Sequence, residues 1–454
     1  MTRAARIPPV AFVAGAVPAL LWIFYAAWNA VWTTPPSIGP LTPINGLYLA
    51  MLPGVAAFLM RRPRVRIAGQ WPYLAFVAWV AAGAYINQSI LPAHLLKALI
   101  VCGLGAAVAA HMTLGGATAQ SVLAGGVMLT SIGLSAWTIG YALETGFQYR
   151  GGVPTNPNAV AVLIAPGLLM ALAAHRSADT ARGHGLLLFV VLASFYASLL
   201  LGSRGVLIAL LVSGALIMAR TRRSGVRGRT LAAGVACTIA LAQVPAIPDF
   251  AWRSGARIVA SLGGPDGTPS SPSTPRVASV ASAAGSDSAG RTASLEPPVR
   301  PLSQAAMTST ALARFGEIET GSLNLRYPLW RATVLYAFSS VPVFLFGGGF
   351  GTSAVIAWQT NPVFQSSHNT YLQLLADTGV VGMALVALLV WQIGWALWRQ
   401  PTRWSTAWLA VVTCWLVIGL TATVVELHVF WITIGAAAAS TVRAPRSSET
   451  GAHR

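Results

Sequence analysis

Three polar sites interrupt an otherwise apolar chain, and their residue types suit one kind of chemistry. The first is Arg204 in Gly202-Ser203-Arg204-Gly205. The second is Arg326 in Asn324-Leu325-Arg326-Tyr327-Pro328-Leu329-Trp330-Arg331. The third is His368-Asn369, at the head of a long apolar run. Guanidinium groups grip phosphate oxygens through paired, charge-assisted hydrogen bonds. A neutral imidazole can take the proton from an attacking hydroxyl. Because the N-terminal end of a helix disfavours imidazolium, His368 is expected to stay neutral there. Each site also has a plain alternative: Arg204 snorkelling to lipid headgroups, Arg326 on an interfacial amphipathic helix, and His368 as a structural histidine.

Lesser candidates surround these. Arg150, in Gln148-Tyr149-Arg150-Gly151-Gly152 and followed by Asn156-Pro157-Asn158, reads as a ligand contact, while Pro and Asn here also suit a tight turn and a helix cap. Gly347-Gly348-Gly349-Phe350-Gly351 is either a flexible turn or a set of amides able to cradle phosphate. Glu426 and His428 form a possible second polar spot or serve as caps, and His94 and Lys97 take the same plain reading. The 11 acidic residues are scattered, with no Asp-x-Asp or His-x-x-x-His spacing, so no metal site is expected. Glu144, Asp377 and Glu426, the acids near apolar runs, each fall at an expected helix end, which disfavours a carboxylate relay for ion pumping. Cys102, Cys237 and Cys414 lie inside apolar runs and read as packing residues rather than a disulfide or metal set.

The elements that must position these residues are membrane helices. With 55% hydrophobic and 9% charged residues and a mean hydropathy of +0.65, the chain lacks the polar surface of a soluble globule. Apolar runs recur at about 10–31, 41–60, 71–87, 91–110, 119–142, 158–174, 186–201, 205–219, 230–247, 370–398, 405–421 and 425–440, giving twelve spans of an all-α polytopic bundle. The first run follows Arg3 and Arg6 and reads as an uncleaved helix rather than a signal peptide, since it is long and lacks a clear cleavage site. The net charge of +18 rests almost wholly on arginine, Lys97 being the only lysine. Arginine clusters such as 61–66 and 220–229 fall on one side of the expected membrane, and only Arg150 and Arg204 fall in its short loops on the other. By the positive-inside rule both termini are cytoplasmic, and a basic balance of this kind points to topology rather than nucleic-acid binding.

Residues 186–219 form one apolar stretch, about 50 Å as a single helix against a hydrocarbon core of about 30 Å, so it must fold back at 202–205 and hold Arg204 in a recess. The chain divides into spans 1–9 (1–247), an external loop region (248–367), spans 10–12 (368–441) and a cytoplasmic tail (442–454). Within the loop, 261–313 is rich in Ser, Ala, Pro and Gly and is expected to be flexible, and 324–346 to be an ordered helix with Arg326 at its start. The tenth span, about 43 Å long, must stand proud of the hydrocarbon, tilt, or kink near Gly379 and Gly382.

Taken together, these residues resemble the O-antigen ligase and polymerase superfamily of bacterial envelope glycosyltransferases. The likeness rests on Arg150-Gly151-Gly152 with Asn156-Pro157-Asn158, Ser203-Arg204-Gly205, Arg326 followed by Trp330, and His368-Asn369. Ligases of the superfamily show His, then Asn/Ser/Gln, nine residues, Gly, two residues, and Gly/Thr/Tyr. His368, Asn369, Gly379 and Gly382 match that pattern in full. The insertion at 261–313 departs from it, being longer than the family's usual loop.

The resemblance implies a GT-C-like membrane glycosyltransferase that moves O-antigen polysaccharide from undecaprenyl diphosphate to a sugar hydroxyl of lipid A-core, at the periplasmic face of a Gram-negative inner membrane. His368, Arg204 and Arg326 would be catalytic. Arg150, Asn156, Asn158, Ser203, Asn369, Trp330 and Arg331 would contact substrate. The diphosphate leaving group makes ATP unnecessary, so neither cofactor nor metal is expected, and the partners are the two lipid substrates and membrane lipids, with no nucleic acid. The competing readings are an O-antigen polymerase, a protein O-oligosaccharyltransferase and, outside enzymes, a lipid or polysaccharide transporter.

Overall fold

Apolar runs broken only by Gly, Pro and short polar turns fold as helices, because hydrocarbon offers the backbone no hydrogen-bond partner. The computed structural model describes residues 9–30, 43–60, 67–86, 92–144, 157–177, 180–221, 235, 322–360, 367–400, 402–424 and 427–442. Residue 235 apart, these belong to the helices named below or to the turns that flank them, within one unit made of Met1–Gln243 and Thr310–Arg454. Among the described residues there is no strand. The helices are α1 (Pro9–Ala30), α2 (Pro43–Met60), α3 (Gln70–Ile86), α4 (Pro92–Glu144), α5 (Pro157–Ser177), α6 (Ala181–Leu201) and α7 (Arg204–Arg220), followed by α8 (Ser322–Ala337), α9 (Val341–Phe346), α10 (Thr352–Thr360), α11 (Thr370–Arg399), α12 (Arg403–Ile418) and α13 (His428–Ala439). Five of them are long and apolar enough to cross a membrane, in α1, α4, α5, α6 and α11. The chain is therefore a helical membrane protein. Apart from residue 235, the expected ninth run, 230–247, and the loop 261–313 lie outside the described residues.

Packing inside the bundle relies on small residues and on buried polar pairs, as it must where lipid removes most of the hydrophobic driving force. Trp22, Trp408, Trp415 and Trp431 are fully buried. Trp408 donates from Nε1 to Gln120 Oε1 at 2.7 Å, and Gln120 Nε2 donates to the Ala436 carbonyl at 3.3 Å, so one glutamine ties α4 to both α12 and α13. Trp415 Nε1 reaches Thr433 Oγ1 at 3.2 Å. Ser131 and Ser194 bond across the α4–α6 contact at 3.0 Å. The core is thus built from α1, α4, α5, α12 and α13, with α3 and α7 laid against α11 and α12.

The structure departs from the sequence expectation in four places. The runs 91–110 and 119–142 are two helical segments as expected, but they meet within α4 without a loop between them, at a break where Gly116 takes φ 56° and ψ −141°. The intervening residues hold no Pro and no charge, so helical bonding continues until a glycine ends it. The turn at 202–205 is present, with Gly202 as a left-handed C-cap at φ 62°, but its arms splay: α6 lies along α5 and α4, whereas α7 lies along α12. The helix expected over 324–346 is two helices, since Ser340 caps a new start by accepting the Val343 N–H at 3.4 Å. Finally, α8 begins at Ser322, which puts Arg326 in its second turn rather than its first.

Candidate active site

Ser367, His368 and Asn369 form the entry to α11, and the backbone there is tightly tied. Asn369 Oδ1 accepts the N–H groups of Tyr371 and Leu372, each at 3.0 Å, and so caps the helix. Ser367 is fully buried, and its hydroxyl donates to the Asn369 carbonyl at 2.8 Å. Between these two pinned residues His368 takes φ 50°, the only positive φ outside glycine among the described residues. A non-glycine residue in that region persists only where its surroundings over-determine it, and such strain gathers at functional sites. The half-buried imidazole has its pKa held below the ordinary histidine value, first by burial and second by the nearby charge of Arg326. The sequence reading credited the helix end alone; the structure adds these two causes.

The turn between α12 and α13, residues 419–424, receives this entry. Thr370 donates its N–H to the Gly419 carbonyl at 2.8 Å and its hydroxyl to the Ala422 carbonyl at 2.8 Å, and that hydroxyl accepts the Val424 N–H at 2.8 Å. Asn369 Nδ2 donates to the Leu420 carbonyl at 3.1 Å. The same turn meets both arginine-bearing elements. Arg326 Nη1 donates to the Thr421 carbonyl at 3.2 Å. A Cβ added at Gly205 would collide with the Thr421 side chain, so the start of α7, with half-buried Arg204 beside it, packs directly on the same residue. Thr421 is therefore the meeting point of the Arg204 and Arg326 segments. Nothing in Gly419-Leu420-Thr421-Ala422-Thr423-Val424 marks it in sequence, because its work is done mostly by backbone carbonyls.

Helix α8 is fixed to the same junction one turn after Arg326, where Trp330 Nε1 donates to the Ser367 carbonyl at 2.9 Å. Arg331, next along, is exposed. Ser203 is buried and starts α7 in an extended conformation without a side-chain cap bond. Asn158 lies in the first turn of α5, half-buried, while Arg150 and Asn156 lie outside the described residues, as does Glu426. His428 packs its ring against Tyr25 and Tyr48, at 4.7 and 5.8 Å between centroids. Among the described residues no group of three or more His, Cys, Asp or Glu comes together as metal ligands.

The glycine run and the break in α11 prove to be parts of one device. Helix α11 is interrupted at Gly379, with φ 66° and ψ −175°. The interruption frees carbonyls that a continuous helix would have bonded. Gly348 N–H donates to Ala376 O at 2.8 Å, Gly349 N–H to Asp377 O at 2.9 Å, and Trp79 Nε1 to Thr378 O at 2.9 Å. Gly347–Phe350 is buried, so this segment is neither a flexible linker nor a phosphate cradle; two of its amides are spent on the broken helix. Asp377 correspondingly lies at the end of the first segment of α11, just before the break. It is 2% exposed, and its carboxylate accepts the Ser353 N–H at 2.7 Å and the Ser353 hydroxyl at 3.3 Å, holding the first turn of α10. Gly382, the second motif glycine, leaves room for the Thr378 side chain and the ring of Trp79.

The arrangement gathers a strained, neutral-leaning imidazole and a guanidinium at one end of the bundle, with the Arg204 turn packed against the same loop. Such a set can accept a proton and stabilise negative charge. A family model described as O-antigen ligase matches residues 188–387, from within α6 to within α11, a stretch that contains Arg204, Arg326 and His368. A search of curated proteins returns no match.

Proposed function

We propose that this chain, which carries an O-antigen ligase domain over residues 188–387, transfers O-antigen polysaccharide from undecaprenyl diphosphate to a sugar hydroxyl of lipid A-core oligosaccharide. The family supports a membrane enzyme of the ligase or polymerase type. One observation carries the finer reading. Arg326 and the Arg204 turn both meet Thr421, in the loop to which the His368-Asn369-Thr370 entry is bonded. In this reading that end of the bundle faces the periplasm, the protein sits in the Gram-negative inner membrane, and both termini are cytoplasmic.

His368 removes the proton from the acceptor hydroxyl as that oxygen attacks the anomeric carbon. Its neutral form, favoured by burial and by Arg326, is the competent one. The bond from the anomeric carbon to the diphosphate breaks with inversion, and Arg326 and Arg204 neutralise the charge that develops on the departing phosphate oxygens. Arg150, Asn156 and Asn158 are proposed to hold the donor, and Ser203, Asn369, Trp330 and Arg331 to shape the cleft around both substrates. Asn369 and Trp330 are themselves engaged with Leu420 and Ser367, so they act by fixing the junction. The diphosphate is a sufficient leaving group without ATP, and the arginines take the part that a divalent ion plays elsewhere.

Reconstitution of the purified protein with lipid-linked glycan and lipid A-core, read by gel shift of the core, tests this proposal. Glycosylated core supports it. Elongated lipid-linked glycan without modified core would make the protein a polymerase, modified protein acceptor an oligosaccharyltransferase, and translocation with no new glycosidic bond a transporter.

A further inference from the structure

The last turns of α11 carry a stripe of tryptophans with arginines laid on it. Trp391, Trp395 and Trp398 follow one another at i, i+4 and i+7, so they share one face of the helix, and all three are exposed. Trp391 and Trp395 stack at 6.0 Å between centroids and 9° between planes, and the Arg399 guanidinium continues the pile by one turn, 4.5 Å above the Trp395 ring. Arg220, the last residue of α7, reaches the same end: its Nη2 donates to the Leu397 carbonyl at 3.0 Å, and its guanidinium lies 5.0 Å from the Trp398 ring. Arg403, just across the turn into α12, lies over Trp404 at 4.1 Å. Such stacking covers the flat face of a guanidinium and leaves its in-plane N–H groups to hold an oxyanion. The guanidiniums of Arg399 and Arg403 are exposed and make no hydrogen bond or ion pair among the described residues, and Arg220 keeps Nε and Nη1 buried without a partner. Of the acids, only Glu144 and Asp377 are among the described residues. Asp377 is bonded to Ser353, and Glu144 ends α4, whose main contacts are with α1, α5, α6 and α13. Three positive charges thus gather with no described acid to balance them.

We propose that this end of α11 binds the headgroup of an anionic phospholipid. Arg399 and Arg403 hold its phosphate, the charge of Arg220 lies behind them, and an acyl chain runs along the exposed tryptophan stripe. The level of the site favours a lipid over a soluble anion. From the break at Gly379 the helix continues unbroken to Arg399, about 30 Å at 1.5 Å per residue, which is the thickness of a hydrocarbon core. Helix α11 is among those long and apolar enough to cross a membrane, and tryptophans gather where hydrocarbon meets the headgroups. A zwitterionic headgroup brings its own ammonium to its phosphate, whereas an anionic one leaves its charge for the arginines, so the site discriminates between them. It lies at the end of α11 opposite to His368 and takes no part in the proposed chemistry.

The test uses the full chain, stripped of copurified lipid in detergent, titrated with dioleoyl phosphatidylglycerol or dioleoyl phosphatidylcholine and read by native mass spectrometry, which counts bound lipids. Phosphatidylglycerol is expected to bind about fivefold or more tightly than phosphatidylcholine. Arg399→Gln should weaken phosphatidylglycerol about fivefold, and Arg399→Gln combined with Arg403→Gln about 25-fold, with phosphatidylcholine unchanged. Both side chains are exposed, so neither variant disturbs the packing of the bundle. Arg182→Gln, which removes an exposed arginine from α6, should bind as wild type does. Equal affinity for the two lipids overturns the proposal, as does an equal loss in Arg182→Gln, which would reduce the effect to net charge. Displacement of the arginine-dependent phosphatidylglycerol by inorganic phosphate would make this a soluble-anion site. Displacement by undecaprenyl phosphate more effectively than by phosphatidylglycerol itself would assign it to the isoprenoid carrier, and either result overturns the proposal.

Discussion

The carboxylate of Asp377 accepts the backbone N–H of Ser353 at 2.7 Å, and through that bond the helix carrying His368 holds the loop segment that carries Arg326. Helices α8 and α10 also pack on each other, so the position of Arg326 depends on a buried acid well removed from the proposed chemistry. Replacing Asp377 by Ala leaves the Ser353 donors without their acceptor, at a cost of about 1–3 kcal/mol. Asp377→Asn keeps one acceptor oxygen and should cost less. Thermal unfolding in detergent reads the stability order wild type, Asn, Ala. Equal stability of all three would dissociate Asp377 from this role.

The pH dependence of transfer follows from the direction of the His368 shift. Burial and Arg326 hold its pKa below the ordinary value of about 6.5, so the neutral form persists into mildly acid solution. The acid limb of the rate profile should therefore lie below pH 6.5, with activity rising through it as pH increases. Arg326→Lys preserves a positive charge and should leave that limb in place, whereas Arg326→Gln removes one depressing cause and should move it upward. Stability carries the same sign. The unfolded chain binds this proton more readily, so stability is lost as pH falls from about 6.5 toward the folded pKa and is unaffected above that window. An acid limb at or above 6.5 contradicts a neutral-leaning base.

Removal of the proposed chemical groups should be severe without unfolding the protein. His368→Ala is expected to lower transfer by about 10²–10⁴ and Arg326→Ala by about 10²–10³. Both variants should remain monodisperse, because each changes a side chain near the surface of the junction rather than its buried core. Near-wild-type transfer in either variant removes that residue from the mechanism.

Independence from metal is testable in the same assay. The proposed mechanism assigns phosphate neutralisation to Arg204 and Arg326, so transfer should proceed undiminished in excess EDTA. Loss of activity restored by Mg²⁺ or Mn²⁺ would refute it.

How far the sequence foretold this arrangement depends on the kind of signal involved. Apolar runs fixed by the demands of hydrocarbon placed α1, α2, α3, α5, α6, α7, α11 and α12 close to their observed limits. Residues with distinctive side chains, such as His368, Arg326 and Arg204, were likewise visible as candidates. The 419–424 turn was not, because backbone carbonyls have no sequence signature and their donors lie far away, Arg326 being 95 positions from Thr421. The roles of Gly347–Gly349 were hidden for the same reason: a glycine run says that the backbone is free to bend, and only the tertiary contact with Ala376 and Asp377 says where its amides go.

Gly379 offers the most direct test of the broken helix. Its φ of 66° with ψ of −175° lies in a region open almost solely to glycine, where other residues pay about 1–3 kcal/mol. A Cβ there would also strike the Leu345 carbonyl and come within 2.6 Å of the Phe346 nitrogen. Gly379→Ala must therefore straighten the helix or displace α9, and either response removes the acceptors of Gly348 and Gly349 and shifts Asp377 away from Ser353. Gly382 has no such backbone demand, and a methyl there would mainly press on the Thr378 side chain and the edge of Trp79. The two motif glycines are thus expected to differ: Gly379→Ala should lose folded protein or lower its melting temperature steeply, while Gly382→Ala should fold with a smaller loss. Parallel expression and thermal unfolding of both variants measure this, and a Gly379→Ala protein as stable as wild type would mean that the break is not needed to hold the junction.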